Sequence, residues 1–94
     1  MTVKEFWHLK YGTVVSDETI IPSCCGNSVW GWRGKVVKRE VIDECAGFVI
    51  TKSKSYDIKT GRKLLEITFE CDNGEYRYCN TSQDLSNLKI VQTR

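Results

Sequence analysis

Five cysteines (Cys24, Cys25, Cys45, Cys71 and Cys79) and one histidine, His8, are the side chains best suited to metal binding or nucleophilic catalysis. A zinc site needs ligands in closely spaced pairs, such as C-x₂-C. Here two cysteines are adjacent and the rest are widely spaced, so no metal is expected. Adjacent Cys24 and Cys25 rarely bridge each other, because the ring that would link them is strained. An odd cysteine number and an N-terminus without an apolar stretch predict reduced thiols and a cytoplasmic protein. No apolar run approaches the ~18 residues of a membrane span, so no membrane partner is expected. The motifs G-x-S-x-G, the P-loop, H-E-x-x-H and G-x-G-x-x-G are all missing. Asp72 and Glu75 are paired carboxylates beside a turn, where hydration explains them better than acid–base chemistry. The sequence therefore predicts a non-enzymatic chain with no catalytic residues and no cofactor.

Binding chemistry is better represented. The 94 residues carry 14 Lys and Arg against 12 Asp and Glu, a net charge of +2. The charge is unevenly spread. Residues 33–63 hold nine basic and four acidic side chains, whereas residues 64–88 hold one and five. Lys35, Lys38, Arg39, Lys52, Lys54, Arg62 and Lys63 are the set that would track a phosphate backbone, with aromatic rings available for stacking. Trp30 and Trp32, separated only by Gly31, are costly to expose without a partner, and Trp and Arg are common interface anchors. Trp30, Trp32 and Arg33, with the acidic Glu70, Asp72 and Glu75, form the expected protein-binding set. Tyr56, Phe69, Tyr76 and Tyr78 are the right types for a cage around a methylated cation. The expected hairpin register turns the last three towards the core, which counts against a cage.

These residues must be positioned by β-structure. Residues 35–42, 47–58 and 63–71 are rich in β-branched or alternating apolar residues, and residues 43–46 and 59–62 read as turns between them. Asn73-Gly74 predicts a two-residue type I′ hairpin turn. That turn sets Glu70 against Arg77 and Phe69 against Tyr78, sends Tyr76 and Tyr78 inward, and puts Cys71 and Cys79 on opposite faces. Residues 82–88 read as one helical or 3₁₀ turn and 89–91 as a last short strand. At the front, Thr2-x-x-Glu5 matches a helix capping box. The alternation of Trp7, Leu9 and Tyr11 favours a strand instead. Residues 17–32, punctuated by Pro22, Gly26 and Gly31, read as a long loop.

This order of elements resembles an SH3-like barrel of the Tudor and KOW kind. The resemblance rests on Arg33-Gly34-Lys35-Val36-Val37, on residues 67–75 at the hairpin, and on Asp84-Leu85-Ser86-Asn87-Leu88. It implies an all-β fold: a small barrel of five or more antiparallel strands with an N-terminal extension and one 3₁₀ or helical turn. Residues 1–94 are expected to form a single domain, with 1–30 the extension and long loop and 31–94 the barrel. The compact chain without catalytic motifs also resembles small accessory proteins of phages. The expected function is a protein-binding module, an inhibitor or adaptor docking on a host nucleic-acid-processing enzyme, as monomer or homodimer. The alternative is a module that binds RNA or DNA directly through its basic strand face.

Overall fold

A capping box starts α1 (Val3–Trp7). The Thr2 hydroxyl accepts a hydrogen bond from the Glu5 amide at 3.1 Å, and the Glu5 carboxylate accepts one from the Thr2 amide at 3.0 Å. These bonds satisfy two amides that the helix would otherwise leave unpaired. They also hold the Glu5 carboxyl below its usual range. The strand expected over residues 7–11 gives way because the capped turn lowers Phe6 and Leu9 into the core, where both are buried.

All the remaining regular structure is β. The computed structural model describes residues 1–92, so residues 93–94 of the expected domain lie outside the described residues. Five antiparallel strands, β1 (Val14–Ser23), β2 (Gly26–Ile50), β3 (Ser55–Cys71), β4 (Tyr76–Asn80) and β5 (Leu88–Gln92), form one sheet in the order β4-β3-β2-β1-β5. The all-β expectation holds. The closed barrel does not form: β4 and β5 are the open edges of the sheet.

The 25-residue β2 organises the sheet. It pairs with β1 over residues 26–35 and with β3 over residues 34–50, so only Gly34 and Lys35 are flanked on both sides. Two ribbons therefore leave the centre, and the molecule extends to 57 Å along its longest axis. The first ribbon corrects the loop expected over residues 17–32, which instead pairs as β1 and β2 and closes at Ser23 and Gly26. The second corrects two turns. Residues 43–46 and 59–62 do not reverse the chain; they face each other as irregularities in the β2–β3 ladder, with Gly61 at φ 81°. Glycine next to polar residues suits a bulge as well as a turn, and local sequence does not separate the two. The reversal falls inside the expected second strand. There the Thr51 amide donates to the Lys54 carbonyl at 2.7 Å and the Thr51 hydroxyl donates to it at 3.0 Å.

The β3–β4 hairpin shifts by one residue from its expected register. Gly74 sits at φ 85°, but Asn73 has a negative φ, whereas a type I′ turn needs positive φ at both central residues. The Gly74 amide donates to the Cys71 carbonyl at 2.9 Å and the Cys71 amide donates to the Glu75 carbonyl at 2.8 Å, closing a three-residue loop. A one-residue slip exchanges faces along the whole strand. Tyr76 now opposes Glu70, Arg77 opposes Phe69, Tyr78 opposes Thr68 and Cys79 opposes Ile67. Tyr76 and Tyr78 stand outward, and Cys71 and Cys79 share the inner face. The expected Glu70–Arg77 ion pair is replaced by Arg77–Glu75 at 3.8 Å.

The inner face buries Val15, Val36, Leu65, Ile67 and Phe69 against Phe6 and Leu9 of the N-terminal segment and Leu85 and Leu88 of the β4–β5 connection. That connection is a pair of tight turns rather than the expected helical turn. The Leu88 amide donates to the Leu85 carbonyl at 3.1 Å, and the Asp84 carboxylate accepts from the Ser86 amide at 3.0 Å. The register decides which aromatic residue carries stability. Phe69→Ala should cost about 3–5 kcal/mol in urea unfolding, the range of a buried ring, and Tyr78→Ala less than about 1 kcal/mol, as for an exposed one. A large loss at Tyr78 would restore the two-residue turn.

Candidate functional site

Three sequence-distant segments meet at the β3–β4 hairpin. Gly31, Trp32 and Arg33 come from β2, Cys71, Asp72 and Asn73 from the end of β3 and its turn, and Glu75 and Arg77 from the far side of the turn. They enclose a depression of about 230 Å³. Its floor is the half-buried Trp32, whose ring lies 5.1 Å from the Phe69 ring at a tilt of 46°. Gly31 lets the wall form. A Cβ there would lie 1.9 Å from the Asp17 carbonyl oxygen, so only glycine lets β1 pass this close. Because residues two apart on a strand share a face, Trp30 and Trp32 point to the same side.

The rim is charged in both senses. Arg77 lies 3.8 Å from Glu75 beside Asp72, while the side chain of Arg33, the neighbour of Trp32 on β2, turns to the other face and lies 3.5 Å from Glu18. A depression with an indole floor, the Arg77 guanidinium and the Asp72 and Glu75 carboxylates suits a protruding loop that carries both an apolar and a charged side chain.

Of the expected protein-binding set, Trp32, Arg33, Asp72 and Glu75 converge here. Trp30 stands apart on the β1–β2 ribbon, opposite Thr19 and 65% exposed. Glu70 lies on the outer face, in a second depression of about 260 Å³ with Val14, Gly34, Lys35, Cys71 and Asp72. Arg77 is the site residue that sequence reasoning placed elsewhere. The Asn-Gly signal is shared by two hairpin types, and the type that forms turns Arg77 inward.

The basic set does not form a continuous face. Lys63 and Lys59 both pair with Asp43, Arg62 pairs with Glu44 at 3.2 Å and Lys38 with Glu40 at 3.4 Å. Arg39 donates to the Trp7 carbonyl at 2.5 Å, tying β2 to α1. Lys35, Arg39, Lys52 and Lys54 are the members without an ion pair among the described residues, and of these Arg39 is held by the Trp7 carbonyl. The expected cage residues also scatter: Phe69 is core, Tyr76 and Tyr78 are outward, and Tyr56 is on the distal ribbon.

Among the described residues no three His, Cys, Asp or Glu side chains cluster as a metal site would require. The His8 ring is exposed and bonds the Lys4 carbonyl at 2.6 Å. All five cysteines are free. Burial pushes the Cys71 thiol up, and burial followed by the Asp17 carboxylate pushes Cys79 up to about 11. No helix among the described residues is long and apolar enough to cross a membrane. No family model, no curated protein and no solved structure matches the chain.

Two expectations follow from these environments. At pH 8 a disulfide reagent should titrate three thiols rapidly, the exposed Cys24, Cys25 and Cys45, with Cys71 and Cys79 at least tenfold slower. A fourth fast thiol would contradict the burial of the last two. Hydrogen bonds from Lys63 and Lys59 hold the Asp43 carboxyl below its usual value. A depressed folded-state value stabilises above the unfolded one and is lost as pH falls through the folded one. Amide-exchange protection around residues 43 and 59–63 should therefore weaken only in strong acid, and Asp43→Asn should remove that acid dependence.

Proposed function

We propose that this chain is a non-enzymatic binding module that docks on another protein through the Trp32 depression, as an inhibitor or adaptor. The observation that carries this reading is the convergence of Trp32, Arg33, Asp72 and Glu75, from segments some forty residues apart in sequence, around one mixed-charge depression. Indole and guanidinium groups at a concave site are favoured anchors of protein interfaces. The alternating rim charges would set orientation and reject unsuitable partners. The ion pairs of the basic set favour a protein partner over nucleic acid, because a phosphate backbone would compete with Asp43, Glu40 and Glu44 for the same cations. An SH3-like relationship remains the fold reading within this proposal. It is supported by the strand order, the hairpin before β4 and the tight turns before β5.

The test is capture from cell lysate with nuclease present, at low and high salt. A protein partner should survive both treatments. Arg77→Ala with Glu75→Ala should reduce its recovery at least tenfold while unfolding stability changes by less than about 0.5 kcal/mol, as for other surface substitutions. Lys52→Glu with Lys54→Glu should leave recovery unchanged. Recovery that disappears with nuclease, or that depends on Lys52 and Lys54 rather than on Arg77, would move the assignment to nucleic acid.

A further inference from the structure

The distal β2–β3 ribbon is apolar on both faces. Val49 opposes Tyr56 and Gly47 opposes Ile58, which places Val49, Tyr56 and Ile58 on one side. Phe48 opposes Asp57 and Ile50 opposes Ser55, which places Phe48 and Ile50 on the other. Phe48 is 66% exposed, Ile50 74% and Tyr56 55%. A two-stranded ribbon in water is marginal on its own, and one with apolar side chains on both faces is more costly still. Lys52 and Lys54 follow Ile50 at its tip, each without an ion pair among the described residues.

The outer face of the central sheet has the complementary character. Tyr76 and Tyr78 stand out from β4, 53% and 62% exposed. Beside them lie Glu70, opposite Lys35, and Glu66. Glu66 is directly opposite Glu40, a like-charge cross-strand pair that destabilises a sheet unless a cation meets it. Lys38 pairs with Glu40, leaving Glu66 without an ion-pair partner among the described residues. Tip and seat belong to the same chain but lie roughly 35 Å apart along β3, at ~3.3 Å per residue. The tip therefore cannot reach its own seat.

We propose that two copies of this chain exchange their distal β2–β3 ribbons. The tip of one copy, with Phe48, Ile50, Lys52 and Lys54, seats on Tyr76, Tyr78, Glu66 and Glu70 of the other, and the contact is reciprocated about a two-fold axis. Phe48, Ile50, Tyr76 and Tyr78 offer on the order of 100 Å² apiece, so two reciprocal contacts bury about 800 Å² from these side chains alone. The backbone of the tip and the stems of Lys52 and Lys54 add to this and bring it towards the lower end of a stable interface, about 1,200 Å². The exchange does not rest on the Trp32 depression, which faces the other side of the sheet.

Sedimentation velocity on the full-length chain between about 1 and 200 µM tests this. The expected species is a dimer. Phe48→Asp with Ile50→Asp should weaken it at least a hundredfold, and the far-UV spectrum should show a folded chain because both side chains lie outside the core. Lys52→Glu with Lys54→Glu, and separately Glu66→Lys with Glu70→Lys, should each yield monomers, since tip and seat then repel. Mixing these two double variants should restore a dimer, because both contacts again pair opposite charges. A single-chain mass at every concentration would overturn the exchange, as would a dimer indifferent to Phe48 and Ile50. Variants that stay monomeric on mixing, or a mass that keeps growing with concentration, would overturn it equally.

Discussion

The structure depends on a two-residue overlap. At Gly34 and Lys35, β2 passes from one neighbour to the other, and there alone it pairs with both β1 and β3. Gly34 faces Val15 and Cys71; a Cβ on it would lie 3.0 Å from the Phe69 Cβ and 3.1 Å from the Glu70 carbonyl oxygen. The core is built directly beside this crossing, from Val15, Val36 and Phe69. Because the overlap is short, the core is short, and most of β2 leaves it in two directions. The N-terminal segment and the β4–β5 connection then close the inner face with Phe6, Leu9, Leu85 and Leu88.

Outside the core, each ribbon has only its partner strand for support. Surface ion pairs contribute little apiece, about 0–1 kcal/mol. Their larger consequence here is to decide what the charges are free to do. Asp43 takes up two lysines and Glu44 takes up Arg62, so a segment strongly basic by composition presents few unpaired cations. Apolar character is handled the opposite way. Phe48, Ile50 and Tyr56 project from a ribbon with no layer of its own to cover them. Electrostatics is largely satisfied within the chain, while hydrophobic surface on the distal ribbon stays uncovered.

The β3–β4 hairpin couples this architecture to the candidate site. Its three-residue loop fixes the parity of β4, and parity sends Arg77 and Cys79 inward and Tyr76 and Tyr78 outward. One extra turn residue thus builds the rim of the Trp32 depression on one side of the sheet and an aromatic, acidic surface on the other.

Much of this was written in local sequence. The capping box at Thr2 and Glu5, the strand character of residues 63–71, the hairpin at Asn73-Gly74 and the final strand are all short-range patterns, and short-range patterns survive folding. The gathering of Trp32, Arg33, Asp72 and Glu75 was legible as a list of residue types, though not as a place. Tertiary structure decided the rest. It turned residues 17–32 from loop to ribbon, because pairing with the long β2 satisfies backbone groups that a glycine- and proline-punctuated segment would otherwise leave to water. It made bulges of two apparent turns, because reversal at 51–54 lets β3 pair from end to end with residues 34–50 of β2. It chose one of two hairpin geometries that Asn-Gly permits, and so chose the faces. Pattern along a chain specifies what each residue prefers; which strand lies beside it, and in which register, is a property of the whole ladder.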